Sequence, residues 1–305
     1  MRLGTRGSAL AMIQARSVAA AIGADVELVE VLTAGDTSGA AIAELGGTGV
    51  FVSALRDRLL AGEIDLAVHS YKDLPTAPAA GLVIAAVPRR EDPRDVLVAR
   101  DGATLGELPT GARVGTGAPR RVAQLRALGL GLEIVGIRGN VDTRLRKVAE
   151  GEYDAVVLAR AGLARLGRLA EVTEVLDPIQ VLPAPAQGAL AVECRVDDVE
   201  VQALLAPLDD PDTRAAVTAE RALLAALEGG CTAPVAALAE IAIGESEQDT
   251  EIYLRGSVTA LDGSDAARLS ATGPIVEADA IGRRLAADLL DAGAKHLMGV
   301  TDERT

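Results

Sequence analysis

The spacing of apolar residues alternates between two periods over the first half of the chain. Runs of strand length are RLGT, VELVEVLT, IDLAVH and LVIAAVP. Between them, segments with the apolar spacing of a helix cover 9–22 and 50–60. Regular alternation of strands and helices predicts an α/β domain with a largely parallel sheet.

A second unit with the same alternation follows the charged segment RREDPRD. Its strand-like runs are DVLVA, ARVGT, LEIVGIRGN and DAVVLA, and helices are predicted over 120–128 and 141–150. The strand ALAVECR comes after two prolines and has no place in a finished second domain. We therefore predict that it returns to the first sheet. Residues 1–90 and 188–206 then form one domain and 91–187 a second, joined by two crossings.

The remaining residues, 207–305, have the pattern of a small α+β domain. A segment from Asp209 has the acidic start and glycine stop of a helix. Strand-like VAALAEIAI and EIYLRGSVTA follow, then a turn at Asp262-Gly263 and a helix over 277–290. This predicts a third domain that carries Cys231 in a glycine-containing loop.

Charge and composition narrow the classes of partner. The formal net charge is −14, from 30 basic and 44 acidic residues, and aromatic residues are 1% of the chain. Such a surface lacks both phosphate-binding charge and base-stacking platforms, so nucleic acid is not expected as a partner. Gln14 and Arg16 interrupt the N-terminal apolar run, which indicates an amphipathic helix rather than a signal peptide. No later stretch approaches ~20 apolar residues, so we expect a cytoplasmic protein without membrane spans.

Six arginines follow predicted strands or lie on helices just downstream. They are Arg6, Arg120, Arg121, Arg138, Arg144 and Arg165. Ligands of open α/β sheets bind at the carboxyl ends of the strands, so these side chains could converge on a polyanion, either a phosphate or a carboxylate. No Walker loop or dinucleotide fingerprint is present. Because arginine is this chain's usual cation, each one could equally be a surface residue.

The stretch HSYKDLP places Ser70, Lys72 and Asp73 directly after the strand IDLAV. One interpretation is a capping carboxylate with a solvated neighbour. The other is a carboxylate that stabilises a cationic intermediate, kept ionised by nearby positive charges. His69 is expected to be a packed strand residue rather than a base.

The two cysteines have different surroundings. They are far apart in sequence, so no disulfide framework is expected, and two histidines offer no zinc set. Cys194, inside a strand, is expected to be a buried small hydrophobe. Cys231 follows a predicted helix end and two glycines, where a thiol could be a nucleophile, an attachment point or an inert loop residue.

Several stretches in one order closely resemble the porphobilinogen deaminases, also called hydroxymethylbilane synthases. They are GTRGSALA, GGTGVFVSAL, AVHSYKDLP, RREDPRDVLV, VGTGAPRR, IRGNVDTRLRK, AGLARLG, PAPAQGALAVECR and AERALLAALEGGC. The resemblance runs over nearly the whole chain. It implies two α/β domains like those of periplasmic binding proteins, joined by a double crossing, plus a small α+β C-terminal domain.

The resemblance also implies a reaction. Enzymes of this family are transferases of tetrapyrrole and heme biosynthesis that join four porphobilinogen molecules head to tail, release ammonia at each step and free hydroxymethylbilane. The chain grows on a dipyrromethane cofactor, held by a thioether to the loop cysteine, here Cys231. A cytoplasmic monomer is the family's expectation.

Site residues follow from the matching motifs. Asp73 matches the catalytic carboxylate, which contacts pyrrole N–H groups and stabilises the positive azafulvene formed as ammonia leaves. Gln187 lies in the hinge-side motif and Phe51 in the active-site loop motif. The positions that match contacts to cofactor and substrate carboxylates are Arg6, Ser8, Ser70, Lys72, Thr116, Arg120, Arg121, Arg138, Arg144 and Arg165.

The chain departs from the common family pattern at several positions. Gly117, Ala118 and Pro119 stand where Ser-Ser-Leu is common, so a hydroxyl contact is missing at Ala118. Losing one such hydrogen bond costs about 1 kcal/mol. Further departures concern a loop lysine, a glycine and a glutamine, which are replaced by Thr48, Ala186 and Thr232.

Two functions of other kinds stay open from the residues. A solute-binding module could hold an organic anion without chemistry, although Cys231 and the absence of an export signal argue against it. A thiol-dependent transferase could use Cys231 as nucleophile, but neither His69 nor His296 lies in a triad-like context.

Overall fold

In a computed structural model of the chain, the structure describes residues 1–23, 25–32, 49–228, 233–242 and 250–299, without the side chains of 49–51. Of the residues singled out above, Thr48, Cys231, Thr232 and the side chain of Phe51 lie outside this range. The chain divides into two compact units. The first comprises Met1–Glu91 and Gly188–Arg214, and the second comprises Asp92–Gln187 and Ala215–Thr305.

The first unit is a five-stranded sheet flanked by helices. Its elements are β1 (Arg2–Thr5), α1 (Ala9–Ile22), β2 (Glu27–Glu30), α2 (Gly49–Leu60), β3 (Leu66–Ser70), β4 (Leu82–Ala86), and, after the chain returns, β10 (Leu190–Arg195) and α6 (Val199–Leu205). The strand order is β2-β1-β3-β10-β4. One face packs against α1 and α6, and the other against α2.

Strand directions in this sheet are mixed. β1 is parallel to β2 and β3, whereas β10 is antiparallel to both β3 and β4. The predicted return of ALAVECR to the first sheet is therefore confirmed, but the sheet is less parallel than predicted. The reason is connectivity, since β10 enters where β3 ends and the backbone N–H of Tyr71 donates to the carbonyl of Ala189 at 3.0 Å.

The second unit contains another five-stranded sheet. Its elements are β5 (Asp95–Ala99), β6 (Arg113–Gly115), α3 (Pro119–Ala127), β7 (Glu133–Val135), α4 (Val141–Ala149), β8 (Ala155–Ala159), α5 (Arg160–Arg165) and β9 (Glu174–Val175). The order β7-β6-β8-β5-β9 repeats the plan of the first sheet, with β6 parallel to β7 and β8, and β5 antiparallel to β8 and β9.

The same unit includes a small antiparallel sheet with helices on one face. Its elements are α7 (Pro211–Ala226), β11 (Val235–Ala242), β12 (Glu251–Thr259), β13 (Ala266–Pro274), α8 (Ala278–Asp291) and α9 (Ala294–Leu297), the first turn of α7 belonging to the first unit. Leu223, Leu285 and Leu289 pack against Ile252 and Leu254 in its core. The predicted fold class, two α/β domains of periplasmic-binding-protein type with a double crossing and a small α+β domain, is confirmed.

Two details differ from the prediction. Strand β13 was not expected, because it is an edge strand of small and polar residues, mostly exposed, whose place is set by pairing with β12 across the turn at Asp262-Gly263. Residues up to Arg214 belong to the first unit, whereas a boundary at 207 was predicted. Asp209 explains this difference, because its Oδ1 accepts from the backbone N–H of Val87 at 2.7 Å.

Candidate active site

Polar side chains collect at one edge of the first sheet. β1 and β3 are parallel, so their carboxyl ends lie at the same edge. The predicted residues that follow these two ends are Arg6, Ser8, Ser70, Lys72 and Asp73. Five of the predicted site residues are thus brought together by the sheet.

Two serines at this edge hold local structure. Ser8 is the N-cap of α1, and its side chain accepts from the N–H of Ala11 at 3.3 Å. Ser70 ends β3, and its hydroxyl lies 3.1 Å from Nε2 of the buried Gln14 on α1. These contacts join the start of α1 to the end of β3.

Asp73 lies in a short 3₁₀ turn, Tyr71–Asp73, that follows β3 directly. The turn closes with the N–H of Leu74 on the carbonyl of Tyr71 at 3.2 Å. Asp73 is half-buried, and within the described residues its carboxylate has neither a hydrogen bond nor an ion pair. A carboxylate held in this way is available to a ligand.

A buried charge cluster lies beneath this turn. Glu193 on β10 is 2% exposed and 3.2 Å from Nε2 of His69, and it accepts from Arg56 on α2. Burial by itself raises the pKa of Glu193, but His69 and Arg56 outweigh burial and hold that pKa below its ordinary value. His69 is 6% exposed, as expected for a packed strand residue.

The corresponding edge of the second sheet is basic. Strands β6, β7 and β8 are parallel, and their carboxyl ends are followed by the predicted residues Thr116, Arg120, Arg121, Arg138 and Arg165. Arg138 is exposed, and Arg165 is half-buried at the end of α5. Thr116 is buried, and its hydroxyl accepts from the N–H of Ala118 at 3.3 Å.

Arg120 and Arg121 begin α3 and both bind one buried carboxylate. Asp95, 0% exposed, accepts from Nη1 of Arg120 at 2.7 Å and from Nη2 of Arg121 at 2.8 Å. Although burial alone raises the pKa of Asp95, the two guanidinium charges hold it far below its usual range. Each of these arginines thus uses some of its guanidinium donors on Asp95 inside the protein. The sequence did not indicate this pairing.

Gln187 joins the same cluster from the return crossing. Its Nε2 donates to the carbonyl of Pro93 and to Oδ1 of Asp95, both at 2.7 Å, and its Oε1 accepts from Arg120. Both segments that cross between the units therefore contact Asp95 or its partners.

Arg144 on α4 has a different environment. Its Nε donates to the carbonyl of Gly139 at 2.8 Å, and no carboxylate of the described residues pairs with it. Burial, and then the charge of Arg121, lower the pKa of Arg144. Among the described residues, Asp95 is the carboxylate that pairs with Arg120 and Arg121, and none pairs with Arg144. The three arginines therefore leave positive charge that an anionic ligand can neutralise.

Two departures from the common family pattern have visible consequences. Ala118 is the N-cap of α3 and provides no side-chain cap, so a hydroxyl is missing there. Ala186 is buried with φ +60°, a backbone region that costs a non-glycine residue about 1 kcal/mol. Its N–H donates to Oε2 of the buried Glu220 at 2.6 Å, and that contact holds the strained residue in place.

The two cysteines lie in different parts of the fold, and only Cys194 belongs to the described residues. Cys194 is 0% exposed on β10, and burial raises the pKa of its thiol to about 11, so it is inert at neutral pH. The loop with Cys231 lies outside the described residues, between α7 and β11. Glu220 on α7 also accepts from the N–H of Ala239 on β11 at 2.8 Å, which ties together the two elements that flank this loop.

Several residues that build the site were missed at the level of sequence. Asp95, Glu193 and Gln14 are buried polar side chains inside otherwise apolar elements. A charged residue within a run such as LAVECR is itself a signal, because a buried charge requires a partner. Among the described residues, no cluster of histidine, cysteine and carboxylate side chains could hold a metal ion, and none of the described helices has the length and apolarity to cross a bilayer.

A carboxylate with no partner among the described residues on one α/β sheet, and a basic edge on the other, suit an enzyme that acts on organic polyanions. Family models match residues 1–203 as the porphobilinogen deaminase, dipyrromethane cofactor binding domain, and residues 214–291 as the porphobilinogen deaminase, C-terminal domain. The chain belongs to the porphobilinogen deaminase family. It is a transferase of tetrapyrrole biosynthesis that polymerises porphobilinogen and contains a dipyrromethane-binding domain.

Curated relatives match over almost the full length. The porphobilinogen deaminase of Nocardia farcinica is 61% identical over 98% of this chain and 88% of its own length. That of Mycobacterium tuberculosis is 60% identical over 98% of both chains. Porphobilinogen deaminase 1 of Streptomyces coelicolor is 60% identical over 98% of this chain and 97% of its own.

Solved structures of solute-binding proteins also overlap this chain. The periplasmic aliphatic sulphonate binding protein of Escherichia coli is 16% identical, with a TM-score of 0.38, and the match covers 75% of this chain and 70% of that one. The fold assignment rests on the strand orders described above and not on this overlap.

Proposed function

We propose that this chain joins four porphobilinogen molecules head to tail into hydroxymethylbilane, with release of ammonia at each step, on a dipyrromethane cofactor held by a thioether to Cys231. The observation that carries the proposal is the basic edge of the second sheet. There one buried carboxylate, Asp95, pairs with Arg120 and Arg121, while Arg144 pairs with no carboxylate of the described residues.

The chemistry of the ligand fits this edge. Each pyrrole of the cofactor and of the growing product carries an acetate and a propionate, so a chain of pyrroles is a polycarboxylate. Guanidinium forks bind carboxylates through paired hydrogen bonds, and a partly buried fork binds them more strongly than an exposed one. We assign binding of these carboxylates to Arg6, Ser8, Ser70, Lys72, Thr116, Arg120, Arg121, Arg138, Arg144 and Arg165.

Asp73 is assigned the catalytic role. Positive charge develops on the pyrrole as ammonia leaves. A carboxylate that has no hydrogen bond or ion pair with the described residues can accept from the pyrrole N–H and stabilise that charge. The 3₁₀ turn fixes the backbone at Asp73 before substrate binds, so little reorganisation is needed. Ser70 and Lys72, at the start and middle of the same stretch, are assigned to substrate carboxylates.

Attachment of the cofactor is assigned to Cys231 rather than Cys194. A thioether requires a thiol that solvent and substrate can reach, and Cys194 is fully buried with a raised pKa. When bound, the cofactor supplies the primer from which the pyrrole chain grows. Gln187 supports the crossing segment, and Phe51, whose backbone lies in the first turn of α2, is assigned a supporting role.

Three further properties belong to the proposal. A cytoplasmic location is supported by membership in this enzyme family. We also propose that the enzyme acts as a monomer and without nucleic acid. A net charge of −14 supports the last point.

The intact mass of the purified protein under denaturing conditions tests this function. We expect an added mass of two linked pyrroles, located by fragmentation on the peptide that contains Cys231. An unmodified chain is incubated with porphobilinogen and weighed again, since it could have been isolated without cofactor. If no mass is then added and no hydroxymethylbilane is formed, the proposal is wrong and the solute-binding alternative holds.

A further inference from the structure

Asp95 organises the basic edge of the second unit. It starts β5, is 0% exposed, and accepts hydrogen bonds from three side chains. Nε and Nη2 of Arg121 donate to its two oxygens at 3.2 and 2.8 Å, and both terminal nitrogens of Arg120 donate at 2.7 and 3.3 Å. Gln187 adds a fifth bond at 2.7 Å. One carboxylate thus orients two guanidinium groups.

The two arginines use their remaining hydrogen-bonding capacity differently. Nη1 of Arg120 also donates to the carbonyl of Leu182 at 3.0 Å, and its Nη2 to Oε1 of Gln187 at 3.0 Å. Four donor positions of Arg120 are therefore used on the crossing segment and on Asp95. Arg120 therefore acts mainly as an internal link, and the hydrogen bonds of the described residues leave only its Nε–H for a carboxylate.

Arg121 keeps donors for a ligand. Among the described residues, each of its three nitrogens makes one hydrogen bond, to Asp95 or to the carbonyl of Val157. A terminal guanidinium nitrogen carries two hydrogens, so one N–H remains on each. Burial, and then the charge of Arg121, lower the pKa of Arg144. Of the two arginines that bind Asp95, Arg121 is the one with N–H donors left on both terminal nitrogens.

We propose that Asp95 is a positioning residue for this enzyme: it fixes Arg120 as a structural link to the return crossing and holds Arg121 so that its remaining N–H donors meet a pyrrole carboxylate. The inference rests on the proposed function. It assigns a role to a fully buried residue and gives two adjacent arginines different roles.

Asp95→Asn removes the charge but keeps the size of the side chain. Asparagine has only one acceptor oxygen, so it cannot accept paired hydrogen bonds from two guanidinium groups. Arg121 therefore loses its fixed orientation. We expect the KM of the holoenzyme for porphobilinogen to rise about tenfold, the size expected when a charge-assisted hydrogen bond is misplaced. The unfolding midpoint falls as well, but a purely structural role would lower that midpoint alone.

A double-mutant cycle with Arg121→Lys shows whether Asp95 acts through Arg121. Lysine keeps the charge and loses the fork. If Asp95 works by orienting the fork, Asp95→Asn raises KM much less in the Arg121→Lys background than in the wild type. The matched control is Arg126→Lys, an exposed arginine on the same helix. In its background, Asp95→Asn should have its full effect on KM.

The results that overturn the proposal are definite. A KM for Asp95→Asn within twofold of the wild type excludes the positioning role, as does an equal rise in KM in both Arg121 backgrounds. If Asp95→Asn does not fold, the cycle is run on Asp95→Asn combined with Arg120→Gln, which removes one buried charge of each sign. The same KM rise and the same loss of effect in Arg121→Lys are expected. A wild type that adds no pyrrole mass and has no turnover instead refutes the proposed function.

Discussion

Arg56 on α2 donates to both carboxylate oxygens of Glu193 on β10, at 2.8 Å from Nη2 and 3.1 Å from Nε. Since Glu193 is only 2% exposed, this pair holds a buried charge in the centre of the first sheet. Glu193 also lies 3.2 Å from Nε2 of His69 on β3, and β3 leads directly into the turn with Asp73.

Glu193→Gln should lower the free energy of unfolding by about 3 kcal/mol at neutral pH, because it leaves Arg56 without its buried carboxylate. The pKa of Glu193 in the folded protein is below its ordinary 4.5. Its stabilisation is therefore present above that ordinary value and is lost as the pH falls through the lower folded value. Denaturant unfolding should show a difference between wild type and variant that shrinks below about pH 4. The exposed Glu200→Gln serves as control, and a difference that grows in acid would contradict the assignment.

Asp73→Asn should leave the fold intact and lower turnover by orders of magnitude. An amide has no charge to stabilise the cation that forms as ammonia leaves, and removal of such preorganised charge costs about 10²–10³-fold or more. Steady-state rates, with circular dichroism to verify folding, measure the effect. Asp57→Asn, an exposed carboxylate on α2 of the same unit, should retain activity. Near-normal product formation by Asp73→Asn would remove its catalytic role.

The two cysteines should label differently with iodoacetamide. Cys194 is buried and its thiol pKa is raised to about 11, so the native protein should not react there at neutral pH. We expect one label, on Cys194, only after the cofactor-loaded protein is denatured. Cys194→Ala should still load cofactor, whereas Cys231→Ala should not. Peptide masses distinguish these outcomes, and cofactor on Cys231→Ala would show that attachment lies elsewhere.

Gly263→Ala should destabilise the second unit by about 2–4 kcal/mol. Gly263 has φ +79°, and a Cβ there would lie 2.5 Å from the backbone N of Ala127 at the end of α3. The adjoining carbonyl of Leu261 accepts from Arg126 at 2.8 Å, so this turn is packed against the helix that carries Arg120 and Arg121.

The control for this substitution is Gly102→Ala. Gly102 has φ +75° but nothing within 4 Å of the added Cβ, so it measures backbone strain without the steric overlap. We expect a cost of about 1 kcal/mol there by thermal or denaturant unfolding. Equal losses at the two glycines would show that the turn does not pack tightly on α3.

Ala118→Ser should stabilise the protein by about 1 kcal/mol by restoring an N-cap to α3. Ala118 has extended dihedral angles and no side-chain cap, so the serine hydroxyl can accept from the N–H groups of the first helical turn. Unfolding at neutral pH measures the gain. Ala149→Ser, at the exposed end of α4, should give none, and a loss of stability at Ala118 would mean that the site has no room for the hydroxyl.

Much of the fold was predictable because elements with a buried face have apolar residues at regular spacing in the sequence. The run DVLVA and the helix over 141–150 appear in the structure within a residue or two, as β5 and α4. Strand β13 has no such apolar spacing, since an edge strand of small residues is exposed along most of its length.

The alternating elements, the family and the residue types required for polycarboxylate chemistry could be predicted from the sequence, since each depends on local pattern or on motifs such as HSYKDLP. The folded structure was needed to find that Arg120 and Arg121 share Asp95, and that Arg144 lacks a carboxylate among the described residues. These pairings could not be predicted because charge neutralisation depends on distances between groups far apart in the chain. Asp95 and Gln187 are 92 residues apart, yet their side chains lie 2.7 Å from each other.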